Sequence, residues 1–208
     1  MSKYTSPLYT LYHWLSQLPP KIRWSKKYAI TEEDKVLLAE KLASGYYIIL
    51  VGTRTHLSSY IVSLLSWIKT GKWAKYSHVL MNCDNITDPL KRDGFKFVEA
   101  LAQGVTYSPF DEVFACDYAC LMTPVNIKQE EWTARIDRLT SEVGTPYDDL
   151  FDLVDKSKLS CVEVVLDALK SENYAAEFAN LDKMIKDVGN LVPQMYRDCP
   201  DFKVEIEL

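Results

Sequence analysis

The sequence predicts an α+β domain in which one antiparallel sheet packs on helices. Two observations carry this. Six short runs read as strands, four of which ("YSHVLM", "FKFVEA", "GVTYS" and "YACLMT") follow one another without an intervening helix. Longer segments with helical periodicity precede and follow these four, and helices with an antiparallel sheet fold around one core.

Taken in order, "SPLYTLYHWLSQL" reads as a helix that stops at Pro19-Pro20, and "TEEDKVLLAEKLASG" as a second that starts at Thr31 and closes at Gly45. "YYIILV" is a continuous apolar run, the pattern of a buried strand. "HLSSYIVSLLSWIKTG" is a helix closed by Gly71, whose apolar residues, Trp67 among them, are expected in the core. "YSHVLM", "FKFVEA", "GVTYS" and "YACLMT" follow as strands, then "EEWTARIDRLTSEVG" as a helix ending at Gly144. "SKLSCVEVVLDALK" is a helix, and "YAAEFANLDKMIKDVG" continues as helix. The terminal "FKVEIEL" alternates Phe202, Val204, Ile206 and Leu208 with polar residues, a half-buried strand.

The chain has 208 residues, 48% hydrophobic and 25% charged, enough for one sizeable core. Its net charge is −5 and it has no long basic run, which argues against nucleic acid as a partner. No apolar run approaches the ~20 residues that span a bilayer, so no transmembrane segment is expected. The N-terminal residues lack the layout of a signal peptide, and a cytoplasmic location is expected, with virion association or release by lysis as the alternatives. Five cysteines (Cys83, Cys116, Cys120, Cys161 and Cys199) show no framework spacing and fit reduced thiols. Cys116 and Cys120 form a C-x-x-x-C pair without a second ligand pair nearby, so neither a metal site nor a cofactor is expected.

Cys161 stands at a chemically distinct position. Ser160 and Glu163 have the S-x-x-E spacing of a capping box, and Val162, Val165, Leu166 and Leu169 form one helical face. With Ser160 as N-cap, Cys161 is the first helical residue, near unpaired amides and the positive end of the helix dipole. That setting favours a thiolate when a cationic partner is present. The competing reading is a small buried hydrophobe.

Of the three histidines, His13 lies in the first helix and His56 precedes another; His78 lies inside a strand. If "YSHVLM" and "FKFVEA" pair antiparallel with Leu80 opposite Phe97, the two-residue period sets His78 opposite Glu99 on one face. A carboxylate beside an imidazole fixes its tautomer and supports its charged form. Cys161, His78 and Glu99 then make a thiol, a base and an orienting acid, the composition of a nucleophilic catalytic triad.

The order "GYYIILVG", "YSHVLM", "FVEALAQGV", "GTPYDD", "LSCVEVV" resembles the circularly permuted papain-like cysteine hydrolases of the NlpC superfamily, in which the histidine strand precedes the cysteine helix. Gly144-Thr145-Pro146-Tyr147 matches the G-x-x-Y segment, Ser160-Cys161 the nucleophile, Ser77-His78-Val79 the base strand and Val98-Glu99-Ala100 the third polar position. The resemblance implies a permuted papain-like hydrolase domain over residues 45–208 with an N-terminal helical extension over 1–44. It implies Cys161 as nucleophile, His78 as base, Glu99 as its orienter, and Tyr147 lining the substrate site near the oxyanion. Two positions depart from the family: Tyr46 and Tyr47 replace an acid that often follows the glycine of the first strand, and Val162 stands where a small residue is usual.

The expected activity is a cysteine-dependent amidase or peptidase, with peptidoglycan-type peptides as the family's commonest substrates. The alternatives are a lipid amidase, thioesterase or acyltransferase, for which "YIVSLLSWIKTG" would line an acyl groove, and a non-catalytic binding or virion-associated module. The partner is accordingly a peptide or acyl substrate. Neither that choice nor the oligomeric state is legible in the residues.

Overall fold

Ile48–Gly52 (β1), His78–Asn82 (β2), Lys96–Leu101 (β3), Gly104–Pro109 (β4), Tyr118–Pro124 (β5) and Phe202–Glu207 (β6) pair into one antiparallel sheet in the order β4-β3-β2-β1-β5-β6. The computed structural model describes residues 27–54, 57–84, 86, 88–128, 131–148, 155, 157–170 and 173–208. Each of the six runs that read as strands is one, and the architecture is α+β. The expected helix around His13, the His56 position and Asp149 of "TPYDD" lie outside the described residues.

Alternation along the strands sends side chains to two separate cores. One face carries Ile48, Leu50, Val79, Met81, Val98, Ala100, Cys120 and Met122. It packs against Trp132–Ser141 (α4) and Cys161–Leu169 (α5). The other carries Ile49, Leu80, Phe97 and Leu121 against Leu38, Ala39 and Leu42 of Glu32–Leu42 (α1) and against Phe110 and Val113 of Phe110–Val113 (α3). Phe97, Phe110 and Phe114 meet ring to ring there, with centroids 4.7–6.3 Å apart. Both faces of the sheet are therefore covered, which is why β1 reads as a continuous apolar run rather than an alternating one.

Helix ends follow from local chemistry. Thr31 caps α1 by accepting from the Asp34 amide at 3.2 Å, while the Asp34 carboxylate takes the Thr31 amide at 2.8 Å. The segment expected as one helix from Tyr174 is two, Tyr174–Glu177 (α6) and Ala179–Val188 (α7). Phe178 leaves helical geometry between them at φ −129°, ψ 38° and is fully buried, stacked on Phe202 at 5.5 Å. Burying that ring outweighs one continuous run of helical hydrogen bonds. Gly189 then closes α7 in the left-handed conformation, φ 70°. Pro193–Asp198 (α8) is a helix that periodicity did not reveal, begun by a proline at its first position.

The last strand also departs from its pattern. A bulge between Leu121 and Met122 pairs them with Ile206 and Val204, skipping Glu205. Phe202 and Val204 consequently join the core beneath α5, while Ile206 and Leu208 join the other. One strict alternation in sequence thus serves two faces, because the extra residue resets the phase.

Leu57–Thr70 (α2) is a helix as expected, but its large apolar residues are not in the core: Tyr60, Leu64, Trp67 and Ile68 are exposed, and none of the described α2 side chains belongs to either hydrophobic cluster.

Candidate active site

The site begins with the buried helix α5. Eight of its nine residues are buried, so it is held on all sides rather than along one stripe. Ser160 is its N-cap, with the amide at 3.0 Å and the hydroxyl at 2.7 Å from the Glu163 carboxylate, and the capping box read from the sequence is formed. Cys161 is therefore the first helical residue, and it is only 4% exposed. At the far end, the buried Arg135 of α4 donates to the Leu169 carbonyl and pairs with Glu177 at 2.7 Å. A cation on the carbonyl end of α5 satisfies an otherwise unpaired acceptor and complements the dipole.

His78 stands at the start of β2. His78 Nε2 lies 2.5 Å from Glu99 Oε2 on β3. The other Glu99 oxygen accepts from the hydroxyl of Ser108 on β4. Both Glu99 and Ser108 are buried. The contact forms through a register different from the expected one. Met81 faces Val98 and Asn82 faces Phe97, so continuing the pairing sets Leu80, not His78, opposite Glu99. The offset is two residues. An offset of one would have sent the carboxylate to the other face; an offset of two keeps the face and turns a direct contact into a diagonal one.

The electrostatics tie the three groups together. Burial by itself pushes the His78 imidazole down, but the neighbouring Cys161 sulfur and the Glu99 carboxylate oppose it and hold the group protonated up to about 10. Burial would raise Glu99, yet the hydrogen bond and charge of His78, with the Ser108 bond, bring it below the usual carboxylate value. With Nε2 committed to Glu99, Nδ1 is the nitrogen left for the thiol. The other four thiols are held in the protonated form by burial. Burial pushes Cys83, Cys116 and Cys199 up to about 12 and Cys120 up to about 11.

Tyr147 is tied by backbone to the segment that leads into Cys161. It forms a parallel bridge with Leu159, two residues before Cys161; the Leu159 amide donates to Pro146 at 2.9 Å and the Asp148 amide to Leu159 at 3.2 Å. The same segment is fastened to the β3–β4 hairpin, where the Val105 amide donates to Thr145 at 2.8 Å and the Gly144 amide to Val105 at 2.9 Å. Gly104 makes this possible: its φ is +112°, and a Cβ there would lie 2.7 Å from the Thr145 carbonyl oxygen.

Sequence reasoning missed Ser108, Arg135 and Gly104. Ser108 had a usable signal, since it shares the strand-alternation face of Thr106, the residue paired with Glu99. For Arg135 the sequence offers only the i,i+4 pairing with Glu131, since its hydrogen-bond partners are a carbonyl and a glutamate more than thirty residues away. Cys116 and Cys120 point into different cores, which separates the C-x-x-x-C pair across the sheet. Among the described residues, no group of three or more His, Cys, Asp or Glu side chains is placed to hold a metal ion.

No family model matches the chain, and no curated protein matches it. Among solved structures, the chain is similar to one described as the crystal structure of metalloprotein yiiX from Escherichia coli O157:H7, DUF1105. The two share 18% identity over 79% of this chain and 96% of the other, with a TM-score of 0.53. At that identity the likeness is one of fold.

Proposed function

We propose that this chain is a cysteine-dependent hydrolase of amide or ester bonds, built on a permuted papain-like fold, with Cys161 as nucleophile, His78 as general base and acid, Glu99 as its orienter and Tyr147 beside the oxyanion. The observation that carries the reading is a partly buried imidazole held at 2.5 Å by a buried carboxylate, with its protonated form favoured by that carboxylate and by the sulfur that begins α5. Such an arrangement serves nucleophilic catalysis, whereas a merely structural cysteine needs no partner of this kind.

In the proposed reaction the Cys161 sulfur attacks the carbonyl carbon, and its electron pair forms the thioester bond. The negative oxygen develops near the α5 N-terminus, where the first amides have no intrahelical acceptor. His78 gives its proton to the departing nitrogen or oxygen as that bond breaks. Water then attacks the thioester, His78 takes its proton, and the acid leaves with Cys161 restored. The similar solved structure is described as a metalloprotein. Among the described residues of this chain, no three His, Cys, Asp or Glu side chains are placed to hold a metal ion.

Peptides are the leading substrates. A lipid amide, ester or thioester is the second reading, favoured by the exposed apolar face of α2. The test is turnover of a panel of wall-type peptides and short-chain thioesters by the wild type and Cys161→Ala. Turnover that disappears with the thiol supports the reading, and the class turned over chooses between substrates. Turnover that persists in Cys161→Ala contradicts it.

A further inference from the structure

Helix α2 is built inside out. Ser59 accepts from Ser77 at 2.9 Å, Ser63 donates to the Ala74 carbonyl at 2.9 Å, Ser66 is fully buried, and Thr70 donates to the Ser66 carbonyl at 2.8 Å. These hydroxyls recur at helical spacing and face the body of the protein. The outward face carries Tyr60, Leu64, Trp67 and Ile68, with Trp73 on the following turn, all between 41% and 53% exposed. A surface helix ordinarily does the reverse. A contiguous exposed apolar face of this kind marks an interaction surface.

Charge decides the partner. From Thr53 to Asn82 the chain has four basic residues (Arg54, Lys69, Lys72 and Lys75) and no acidic one, although acids outnumber bases 29 to 24 overall. Lys69 and Lys72 are exposed at the C-terminal end of the apolar face. Beside it is a cavity of about 330 Å³ whose lining includes Arg54, Tyr60, Trp73, Lys75 and Tyr118. The Arg54 and Lys75 cations stand 4.4 and 4.8 Å from the Tyr118 ring centroid, and Lys75 also pairs with Glu207 at 3.2 Å. Aromatic and aliphatic residues edged by Lys69 and Lys72, on a stretch of chain without acids, suit the boundary between acyl chains and anionic headgroups. With 14 residues, α2 is too short to span a bilayer and fits one lying in its plane.

We propose that α2 docks this protein on an anionic bilayer, with Tyr60, Leu64, Trp67, Ile68 and Trp73 in the interfacial layer and Lys69 and Lys72 at the headgroups. The docking does not depend on turnover. Ser59 is bonded to Ser77, the neighbour of His78, so the docked face lies on the side of the molecule from which β2 enters the sheet.

The experiment is co-sedimentation of the full chain with vesicles of phosphatidylcholine mixed equally with phosphatidylglycerol, and with phosphatidylcholine alone. The wild type is expected to sediment with the anionic vesicles, less at high salt, and little with the neutral ones. Trp67→Ser with Ile68→Ser, and separately Lys69→Glu with Lys72→Glu, are expected to weaken binding about tenfold or more. Circular dichroism and the urea midpoint verify that each variant folds. Cys161 alkylation without vesicles should be unchanged in both variants, which separates a failure of docking from a failure of the nucleophile assignment. Failure of the wild type to bind anionic vesicles, or undiminished binding by both folded variants, overturns the proposal. So does a wild-type dimer in sedimentation equilibrium that Trp67→Ser with Ile68→Ser abolishes, since the face would then be covered by a second copy.

Discussion

Glu99 divides its two oxygens between His78, at 2.5 Å from Nε2, and the Ser108 hydroxyl. A carboxylate bonded on both sides cannot turn away from the imidazole without leaving a buried acceptor unpaired. This makes Glu99 the part of the site whose change should be read on another residue.

In Glu99→Gln the amide still bonds to the ring but no longer supports its charge. The His78 titration midpoint, followed by NMR, should fall from about 10. A neighbouring opposite charge is typically worth about 1–3 pH units. Ser108→Ala should lower it less, by the same route. A midpoint unmoved by Glu99→Gln would mean that the carboxylate only fills space.

The pH dependence of stability has a definite sign. His78 is raised from about 6.5 to about 10 in the fold, so its contribution is complete below the unfolded value and is lost as pH rises through the folded one. Glu99 is lowered, so its contribution is present above the usual carboxylate range and is lost as pH falls through its folded value. Urea midpoints of the wild type should therefore drop between roughly pH 7 and 10 more steeply than those of His78→Gln. Buried thiols titrate in both proteins, so the difference between the two curves is the quantity to read. Parallel curves would contradict the coupled site.

Gly104→Ala should cost about 1–3 kcal/mol, because it places a side chain at φ +112° and against the Thr145 carbonyl. Gly45→Ala is the control: a Cβ there meets nothing within 4 Å, and the change should stay within about 0.5 kcal/mol. Equal urea midpoints for the two variants would show that the Gly144–Tyr147 segment is not fastened through the hairpin.

Tyr147→Phe should leave the fold and Cys161 labelling intact and lower turnover by roughly 10²-fold, the effect of removing one oxyanion donor. Turnover equal to that of the wild type would assign Tyr147 to packing alone.

The sequence made the elements legible wherever a pattern was local. Six strands and the helix that begins at Cys161 follow from periodicity and capping, and these bring His78 and Glu99 onto neighbouring strands. The register was not legible, because a shift of two residues preserves every hydrophobic position and only distant packing selects between the alternatives. The bulge in β6 was hidden for a related reason, since alternation looks the same whether or not one residue is skipped. The orientation of α2 was misread because its outward side chains are the types that normally mark a core, and its serines carry no periodic signal on hydropathy alone. Phe178 interrupts a segment that reads as helix because the ring it stacks on belongs to β6.

The most direct measurement is the order in which the five thiols react. Native protein is treated briefly with iodoacetamide, and the labelled peptides are identified by mass spectrometry in the wild type, His78→Ala and His56→Ala. Four thiols are held largely protonated at neutral pH by burial, with Cys83 the most accessible of them. The account predicts that Cys161 labels first despite its burial, that His78→Ala slows it markedly, and that His56→Ala does not. Preferential labelling of Cys83 with Cys161 inert, or a Cys161 rate that ignores His78 and follows His56, would contradict it.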